Sequence, residues 1–422
     1  MDLFPENQII EFIDGTSCVV KEHLGVSGSR AYYRVGYGSS DYRLVWDSSC
    51  QGGPESYDYM HQLYNSGAPS DSFEWPLAIT QVTEGQYGYI TSWVPEGFLA
   101  LGSFQVSRVR FHSPHLMLTT CSNMIKCFQE IHDRGLCYHN IDEQVVCVNP
   151  ENGQVFMRHP EYIAPSGASH SFSRAPFITP LELLSGNGAN AGSDCFSLAY
   201  MLFVVIYGIT PFSGRLRYEY VIPSMAPKAY VFIFDPDDER NRVPFNFDVL
   251  KKKWATSPDV LRDAFVRAFG SKAINTPDER IGVAEWRHIF KQAEAQCVRC
   301  PHCGRDTFID ISAGGGRCMC CGKDIASFPV LKVNEYKLPL MPGQDMSAGY
   351  LGIDADESMI YASVVSHPQH PDRWGVLNKS QEEWEVTLPD GQVKCLPSGK
   401  IMPILPGMAV RFKEDTVGEI VN

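Results

Sequence analysis

The stretch IHDRGLCYHNIDEQVV, residues 131–146, decides the fold of this 422-residue chain. A helix is predicted before it, because Ser113-Pro114 suits a helix start and Gly135 suits a helix end. A strand, VFMR, is predicted after it, following the turn at Asn152-Gly153. This order of helix, polar loop, turn and strand is typical of the catalytic segment of one widespread enzyme fold. The apolar residues at helical spacing are Leu118, Cys121, Met124, Ile125, Phe128 and Ile131.

The segment resembles the catalytic loop of a protein kinase, but with its reactive residues replaced. A kinase uses an Asp as base in a His-Arg-Asp triplet, an Asn five residues later, and the Asp of a DFG motif to hold magnesium. Here residues 138–140 read Tyr-His-Asn, so Asn140 replaces the base, and Val145 replaces the metal-binding Asn. His159 takes the place of the DFG Asp in His-Pro-Glu. Magnesium prefers oxygen ligands, so no base and no metal ligand are predicted at these positions.

The N-terminal region shows a similar loss in the predicted nucleotide cleft. Residues 42–46, YRLVW, align with the kinase strand that reads V-A-I-K, so Val45 replaces the lysine that holds the phosphates. Arg43 points to the same face as Val45 and is predicted to crowd the adenine pocket. Gly25 and Gly28 form only a thin glycine-rich loop. These positions indicate a vestigial cleft, and neither ATP nor magnesium is expected as a cofactor.

The frame around this site is retained. Asp194 opens a helix, predicted to extend to Tyr207, that is apolar on every side and therefore buried. Arg280 lies where a late kinase arginine pairs with an acidic residue after the activation segment, and Glu182 is the predicted partner. A strand-rich first region followed by a helical body is the order of the two kinase lobes.

Composition limits the other classes of function. The apolar fraction of 44% and charged fraction of 20% are typical of a globular protein. A net charge of −13 argues against a general binder of nucleic acids or anionic membranes. The start, MDLFPENQIIEF, lacks the basic and apolar regions of a signal peptide, and the apolar run Leu198–Ile209 is too short to span a bilayer. Fourteen cysteines without an export signal predict reduced thiols and a cytoplasmic protein.

Two CxxCG motifs predict a zinc ribbon. Cys300 and Cys303 form the first, Cys318 and Cys321 the second, with 14 residues between them. Zinc prefers four soft ligands in a tetrahedron, and the glycine after each pair permits the turn that presents both thiolates. Four protein ligands close the coordination sphere, so a structural zinc is expected.

Taken together, these patterns predict an α+β chain with a bilobal protein-kinase-like fold, a four-cysteine zinc ribbon and a small C-terminal all-β module. The predicted divisions are a kinase-like N-lobe at 1–97, a kinase-like C-lobe at 98–295, the ribbon at 296–330 and the β module at 335–422. Turn signals LPDG and LPSG support strands in the last region.

Across nearly its whole length the chain resembles the kinases of the bacterial tellurite-resistance-associated TerY-P triads. The resemblance is carried by GLCYHNID, SDCFSLAYMLF, FIFDPDD at 232–238, CPHCG and HPDRWGVLNKSQEEWEVTLPDG. It implies a stress-response role beside two protein partners, a von Willebrand A-type protein and a metal-dependent Ser/Thr phosphatase. Separately, the C-terminal part, with WGVLN at 374–378, is similar to the second half of a forkhead-associated β sandwich. Family members have Y-R-D, Asn, Lys and D-N-D at the positions that differ here, so their activity is not implied.

The leading prediction is a catalytically inactive pseudokinase that acts as a scaffold or allosteric partner. An alternative is an active atypical Ser/Thr kinase, or a nucleotide-binding sensor, that uses displaced residues. Asp142 would then act as base and Glu161 as metal ligand, and Lys21 or Arg34 would hold the phosphates.

Two further alternatives belong to other classes. An unrelated reaction in the cleft would use the histidines near it, His132, His139 and His159. A nucleic-acid adaptor built on the zinc ribbon is the other, although the acidic chain argues against nucleic acid as a partner.

Overall fold

The computed structural model describes ten segments of the chain in two compact units. The first unit comprises residues 1–112, 119–245 and 265–286, and the second comprises 113–118, 246–264 and 287–422. The division by sequence into four domains remains a prediction. The described residues are 3–48, 56–105, 111–168, 174–218, 230–245, 247–309, 311, 315–326, 328–352 and 359–421.

A six-stranded antiparallel sheet begins the first unit. Its strands follow the spatial order β1-β2-β3-β4-β6-β5, and helix α1 (Ser56–Ser66) lies between β4 and β5 in sequence. Leu44 and Val45 alternate along β4 and enter different apolar clusters on the two faces of the sheet. The strands are β1 (Ile9–Glu11), β2 (Ser17–Ser27), β3 (Arg30–Tyr37), β4 (Ser40–Asp47), β5 (Ala78–Ile79) and β6 (Tyr87–Thr91).

Helices and short ladders follow this sheet. Strands β10, β9 and β7 form a three-stranded sheet, and β8 pairs with β11. The strands are β7 (Leu99–Ala100), β8 (Leu136–Tyr138), β9 (Val146–Val148), β10 (Val155–Met157) and β11 (Ile163–Pro165). The helices are α2 (Gly102–Gln105), α3 (Pro114–His132), α4 (Leu181–Leu184), α5 (Ala191–Tyr207), α6 (Arg215–Tyr218), α7 (Asp248–Ala255), α8 (Asp259–Ala268), α9 (Ser271–Asn275) and α10 (Val283–Ala295).

Helix α5 is the buried helix that the sequence predicts. Asn190 and Ser193 form a capping box at its start, and Gly208 ends it with φ 70°. Every residue from Ser193 to Tyr207 is buried. The prediction of a core helix in this region is therefore confirmed. Within the described residues, no helix combines the length and apolar character needed to cross a bilayer.

The second unit contains four short ribbon strands and a β sandwich. Strands β12 (Cys297–Arg299) and β13 (Asp306–Phe308) form one ribbon hairpin, and β14 (Gly315–Arg317) and β15 (Asp324–Ala326) form the other. The sandwich strands are β16 (Val330–Val333), β17 (Tyr336–Pro339), β18 (Asp345–Ser347), β19 (Ile360–His367), β20 (His370–Asn378), β21 (Trp384–Thr387), β22 (Val393–Leu396), β23 (Ile401–Pro403), β24 (Ala409–Lys413) and β25 (Thr416–Val421).

The sandwich strands form two sheets over one apolar core. One sheet has the order β17-β16-β25-β24-β21-β22, and the other β18-β19-β20-β23. Trp384 and Phe412 meet edge to face in the core at a ring distance of 4.8 Å. Gly391 and Gly399, the last residues of LPDG and LPSG, have φ of 83° and 75°. Both predicted turns are confirmed, because each links two strands through a left-handed glycine.

Candidate functional site

The loop after β8 is anchored to α5 through a buried aspartate. Asp194 accepts the backbone N–H of Tyr138 at 3.1 and 3.2 Å, and its Oδ2 lies 2.9 Å from His132 Nε2. Burial raises the pKa of Asp194, although His132 opposes this shift. Asp194 therefore anchors the loop backbone to α5.

The loop positions that a kinase uses for catalysis are packed into the protein. Val145 is fully buried, and Asn140 retains 6% exposure. His139 is also fully buried; its backbone N–H donates to Tyr162 O at 2.7 Å, and its Nε2 lies 3.1 Å from Pro165 O. The side chain of Asp142, the proposed substitute base, accepts the backbone N–H of Gln144 at 2.7 Å. The geometry assigns these groups to holding the loop in place.

Val45 and Arg43, which share one face of β4, have different surroundings. Val45 is buried in an apolar cluster with Met60 of α1, so this strand meets the helix through an apolar contact. Arg43 instead forms an ion pair with Glu74 and lies with Cζ 5.9 Å from the ring centre of Tyr32. Arg43 is therefore engaged in an ion pair with a buried carboxylate. That it crowds an adenine pocket remains a prediction.

Glu74 is the centre of a first group of polar contacts. It is 1% exposed, and besides Arg43 it receives the Thr91 hydroxyl at 2.7 Å. Arg158 Nε lies 3.6 Å from its second oxygen, Oε2, which also accepts the backbone N–H of His159 at 3.4 Å. Both oxygens of this buried carboxylate are therefore occupied by protein donors.

Glu161 is the centre of a second group. Arg30 Nη1 lies 3.1 Å from its Oε1, and the Tyr89 hydroxyl donates to its Oε2 at 3.0 Å. His159 Nδ1 is also 3.1 Å from Oε1. Burial by itself would raise the pKa of Glu161, but Arg30 and His159 hold that pKa far below its usual range. The carboxylate is therefore ionised and fully engaged.

Arg30 and His159 connect these groups into one network. Arg30 Nε donates to Asp47 Oδ2 at 3.0 Å, so its guanidinium lies between two carboxylates. His159 contacts Glu74 through its backbone and Glu161 through its ring. Its φ of 63° is unusual for a non-glycine residue. The network contains three carboxylates, Asp47, Glu74 and Glu161, and three guanidinium groups, Arg30, Arg43 and Arg158.

The predicted glycine-rich loop lies in the β2–β3 hairpin, and Arg30 is the first residue of β3. Ser27 pairs with Arg30 across a two-residue turn, Gly28-Ser29. Gly28 has φ 59°, which suits this turn, and Gly25 has φ 143° at an irregular step of β2. The two glycines thus shape a strand connection that places an arginine in the network.

Lys21 and Arg34 form their ion pairs outside the network, although Arg34 is the cross-strand partner of Arg43 in the β3–β4 pair. Each side chain is about half exposed and pairs with a neighbouring carboxylate, Asp41 at 2.5 Å and Glu22 at 3.6 Å respectively. Neither residue is therefore placed with the groups around Glu161.

The late ion pair of the helical part was predicted correctly. Arg280 Nη1 and Nη2 lie 2.6 and 2.9 Å from the two oxygens of Glu182. Arg280 also donates to the backbone oxygens of Gly192 and Ala273. This bidentate pair fixes α4 against the segment before α10.

The four predicted zinc ligands meet at one point of the second unit. The sulfur atoms of Cys300, Cys303, Cys318 and Cys321 all lie within 4.8 Å of one another. Cys300 Sγ is 3.8 Å from Cys321 Sγ, and Cys303 Sγ is 3.7 Å from Cys318 Sγ. Among the described residues, Cys297 and Cys320 do not join this group. The group could hold a metal ion.

The two halves of the cysteine site repeat one local structure. Residues 299–306, RCPHCGRD, and 317–324, RCMCCGKD, share the pattern R-C-x-x-C-G-basic-D. Gly304 and Gly322 both have φ 70°, which the turn requires. Burial opposes ionisation of Cys318, but the backbone N–H groups of residues 321 and 320 lower the pKa of its thiol to about 6. A thiolate is the ligand that a soft metal ion needs, and these N–H groups favour the thiolate form of Cys318.

Much of the cleft network was missed by the sequence analysis. Asp47 could have been found, because it is an acidic residue on the same face of β4 as Val45. Arg30 sits at a hairpin end, and Glu74 and Arg158 lie outside regular elements, so no periodic pattern marks them.

The N-terminal sheet, the helical part after it and the Arg280–Glu182 pair match the kinase-like fold that the sequence predicts. No family model matches the sequence, and no curated protein matches it. In structure the chain is similar to vaccinia related kinase 3, with 13% identity, 69% of this chain and 91% of that chain covered, and a TM-score of 0.43. It is also similar to a double mutant of the Mycobacterium tuberculosis PknI kinase domain, with 14% identity, coverage of 70% and 100%, and a TM-score of 0.45. The Cydia pomonella granulovirus kinase PK-1 shows 11% identity, coverage of 63% and 91%, and a TM-score of 0.46.

Proposed function

We propose that this protein is a catalytically inactive pseudokinase that works as a scaffold or allosteric partner in a bacterial phosphorylation-signalling or stress-response complex. The observation that carries the proposal is the buried network of Asp47, Glu74 and Glu161 with three arginines. Phosphoryl transfer needs carboxylates that are free to bind metal ions and a cation that is free to bind phosphate, whereas each carboxylate of this network is paired with an arginine.

The network opposes the alternative in which displaced residues restore activity. Glu161 would have to leave Arg30, His159 and Tyr89 to bind magnesium. Removing one partner of a buried ion pair costs roughly 3–5 kcal/mol, because the other charge stays buried. The exposed ion pairs of Lys21 and Arg34 offer no substitute for the lysine that Val45 replaces.

A structural zinc ion is the proposed occupant of the four-cysteine site. Cysteine thiolates are soft ligands, and four of them around one point suit tetrahedral zinc with no open position. The zinc would hold the two ribbon hairpins together and would take no part in a reaction.

Partners and module identity rest on the family resemblance. We assign the chain to the TerY-P triad group, in a degenerate form and in the cytoplasm. A von Willebrand A-type protein and a metal-dependent Ser/Thr phosphatase are the proposed partners. The sandwich is proposed to be forkhead-associated-like, a reading that its two sheets and the position of WGVLN on β20 support.

The test is the thermal stability of the purified protein with ATP, in the presence of Mg²⁺, of Mn²⁺, and of EDTA with added zinc. A ligand at 100 times its dissociation constant would stabilise the protein by about 2.7 kcal/mol. We expect no shift in melting temperature under any condition. A shift that requires Mg²⁺ or Mn²⁺ would contradict the proposal, and a metal-independent shift would favour a nucleotide sensor instead.

A further inference from the structure

Arg30 lies between two carboxylates that come from distant parts of the first unit. Its Nε is 3.0 Å from Asp47 Oδ2 at the end of β4, and its Nη1 is 3.1 Å from Glu161 Oε1 in the turn after β10. The side chains of Arg30, Asp47 and Glu161 are 5%, 1% and 5% exposed. Glu161 is 131 residues from Arg30 in sequence. The contact therefore ties the β2–β3 hairpin to a segment of the other part of the fold.

The two ends of this contact occupy positions with a defined task in kinases. There the glycine-rich loop covers the phosphates, and the DFG aspartate holds the metal ion that bridges them. Nucleotide and metal thus link the loop to the DFG segment. Here a guanidinium from the corresponding hairpin reaches a carboxylate in the corresponding segment directly.

We propose that the Asp47–Arg30–Glu161 bridge is a built-in substitute for that link, which holds the hairpin closed without any ligand. The proposal rests on the inactive, nucleotide-free cleft of the proposed function and adds how the position of the hairpin is controlled. Closure depends on the charge of Glu161 and is indifferent to nucleotide and divalent metal.

The surroundings of the bridge support a fixed, closed hairpin. Ser29 in the hairpin turn donates to Asp47 Oδ1 at 3.2 Å, and Ser48 donates to the Ser29 backbone oxygen through both its N–H, at 2.9 Å, and its hydroxyl, at 2.8 Å. Tyr89 and His159 hold Glu161 from the other side. Both carboxylates are therefore also held in place by groups other than Arg30.

The experiment is hydrogen–deuterium exchange of the full-length protein with Glu161→Gln. This change keeps the shape of the side chain and removes its charge. The matched control is Glu182→Gln, which weakens the mostly buried Arg280–Glu182 pair, at 2.6 Å, inside the helical part. We expect amides of residues 25–31 to exchange faster by about tenfold in E161Q, because a charge-assisted hydrogen bond is lost. In E182Q the same amides should exchange as in the wild type.

The bridge is overturned if residues 25–31 exchange equally in E161Q and the wild type, or accelerate equally in both variants. Should E161Q fail to fold, Arg30→Lys gives the same readout, since a lysine keeps the charge but cannot reach both carboxylates. Adding ATP with Mg²⁺ to the wild type separates this proposal from the proposed function. Protection of the hairpin by Mg·ATP would overturn the proposed function, whereas the response of E161Q without nucleotide tests the bridge.

Discussion

The cysteine site and the cleft network solve the same electrostatic problem in opposite ways. The four cysteines lie within 22 residues of sequence and form a cluster of thiols that could hold a metal ion from outside. The cleft gathers three carboxylates from positions 47, 74 and 161 and supplies its own cations as arginines. One site is therefore locally encoded and suited to a metal ion, whereas the other is assembled by the fold and balanced by its own arginines.

The largest effect is expected at the cysteine site. Cys303→Ser should remove one zinc per chain and unfold the ribbon, because structural zinc contributes about 10–16 kcal/mol of apparent binding free energy in small zinc domains. Metal content by mass spectrometry and hydrogen exchange of residues 297–326 would show this loss. The control is Cys320→Ser, whose sulfur lies outside the cluster and which should keep its zinc. Equal metal content in both variants would refute the assigned ligands.

A smaller but large effect is expected when the internal cation is removed. Arg30→Met leaves Asp47 and Glu161 buried without their counter-charge, so the free energy of unfolding should fall by roughly 3–5 kcal/mol. The control, Arg34→Met, removes a half-exposed pair with Glu22 and should cost about 0–1 kcal/mol. Urea unfolding measures both changes. Similar losses in the two variants would mean that the buried ion pairs of Arg30 stabilise the fold no more than the half-exposed pair of Arg34 does.

Acid should weaken the cleft network through Glu161. Its pKa is lowered in the folded state, so its stabilisation is present above the ordinary value of 4.5 and is lost as the pH falls below it. The groups facing it are Arg30, His159 and Tyr89. The difference in unfolding free energy between wild type and Glu161→Gln should therefore shrink from about pH 6 to about pH 3. A difference that stays constant with pH would contradict an ionised Glu161.

The smallest effect is expected in the hairpin turn. Gly28→Ala places a side chain on a backbone with φ 59° and should cost about 1 kcal/mol. Gly28→Asn should cost less, because asparagine tolerates this conformation. Thermal unfolding of the two variants gives the comparison. A larger loss for asparagine would show that space, and not backbone conformation, limits this turn.

How far the sequence predicts each site follows from the same contrast. The CxxCG spacing predicts the ligands, the turn and the type of metal within one short segment. The structure brings the four predicted cysteines together. Helix α5 was also predictable, because its sequence is a long apolar run. The Arg280–Glu182 pair was predictable, because both residues lie where a kinase has the corresponding ion pair. The cleft was predicted only as a set of replaced residues, Val45, Asn140, Val145 and His159.

What fills the cleft could not be deduced from pattern. Arg30 comes from a hairpin and Glu74 from an irregular segment, and only the fold brings both into one network. Neither residue belongs to a periodic sequence pattern that would have indicated this. Glu161 was considered as a metal ligand, yet its contacts with Arg30 and His159 are visible only in three dimensions. The sequence therefore indicates which groups are replaced, and the fold indicates which groups balance the charges.

Phosphoryl transfer from labelled ATP tests the central claim most directly. The purified, zinc-loaded protein would be assayed with Mg²⁺ and with Mn²⁺, beside Asp142→Asn and Glu161→Gln as matched variants. A catalytically inactive cleft predicts no transfer above the blank for any of the three proteins. Metal-dependent transfer by the wild type that disappears in either variant would contradict it.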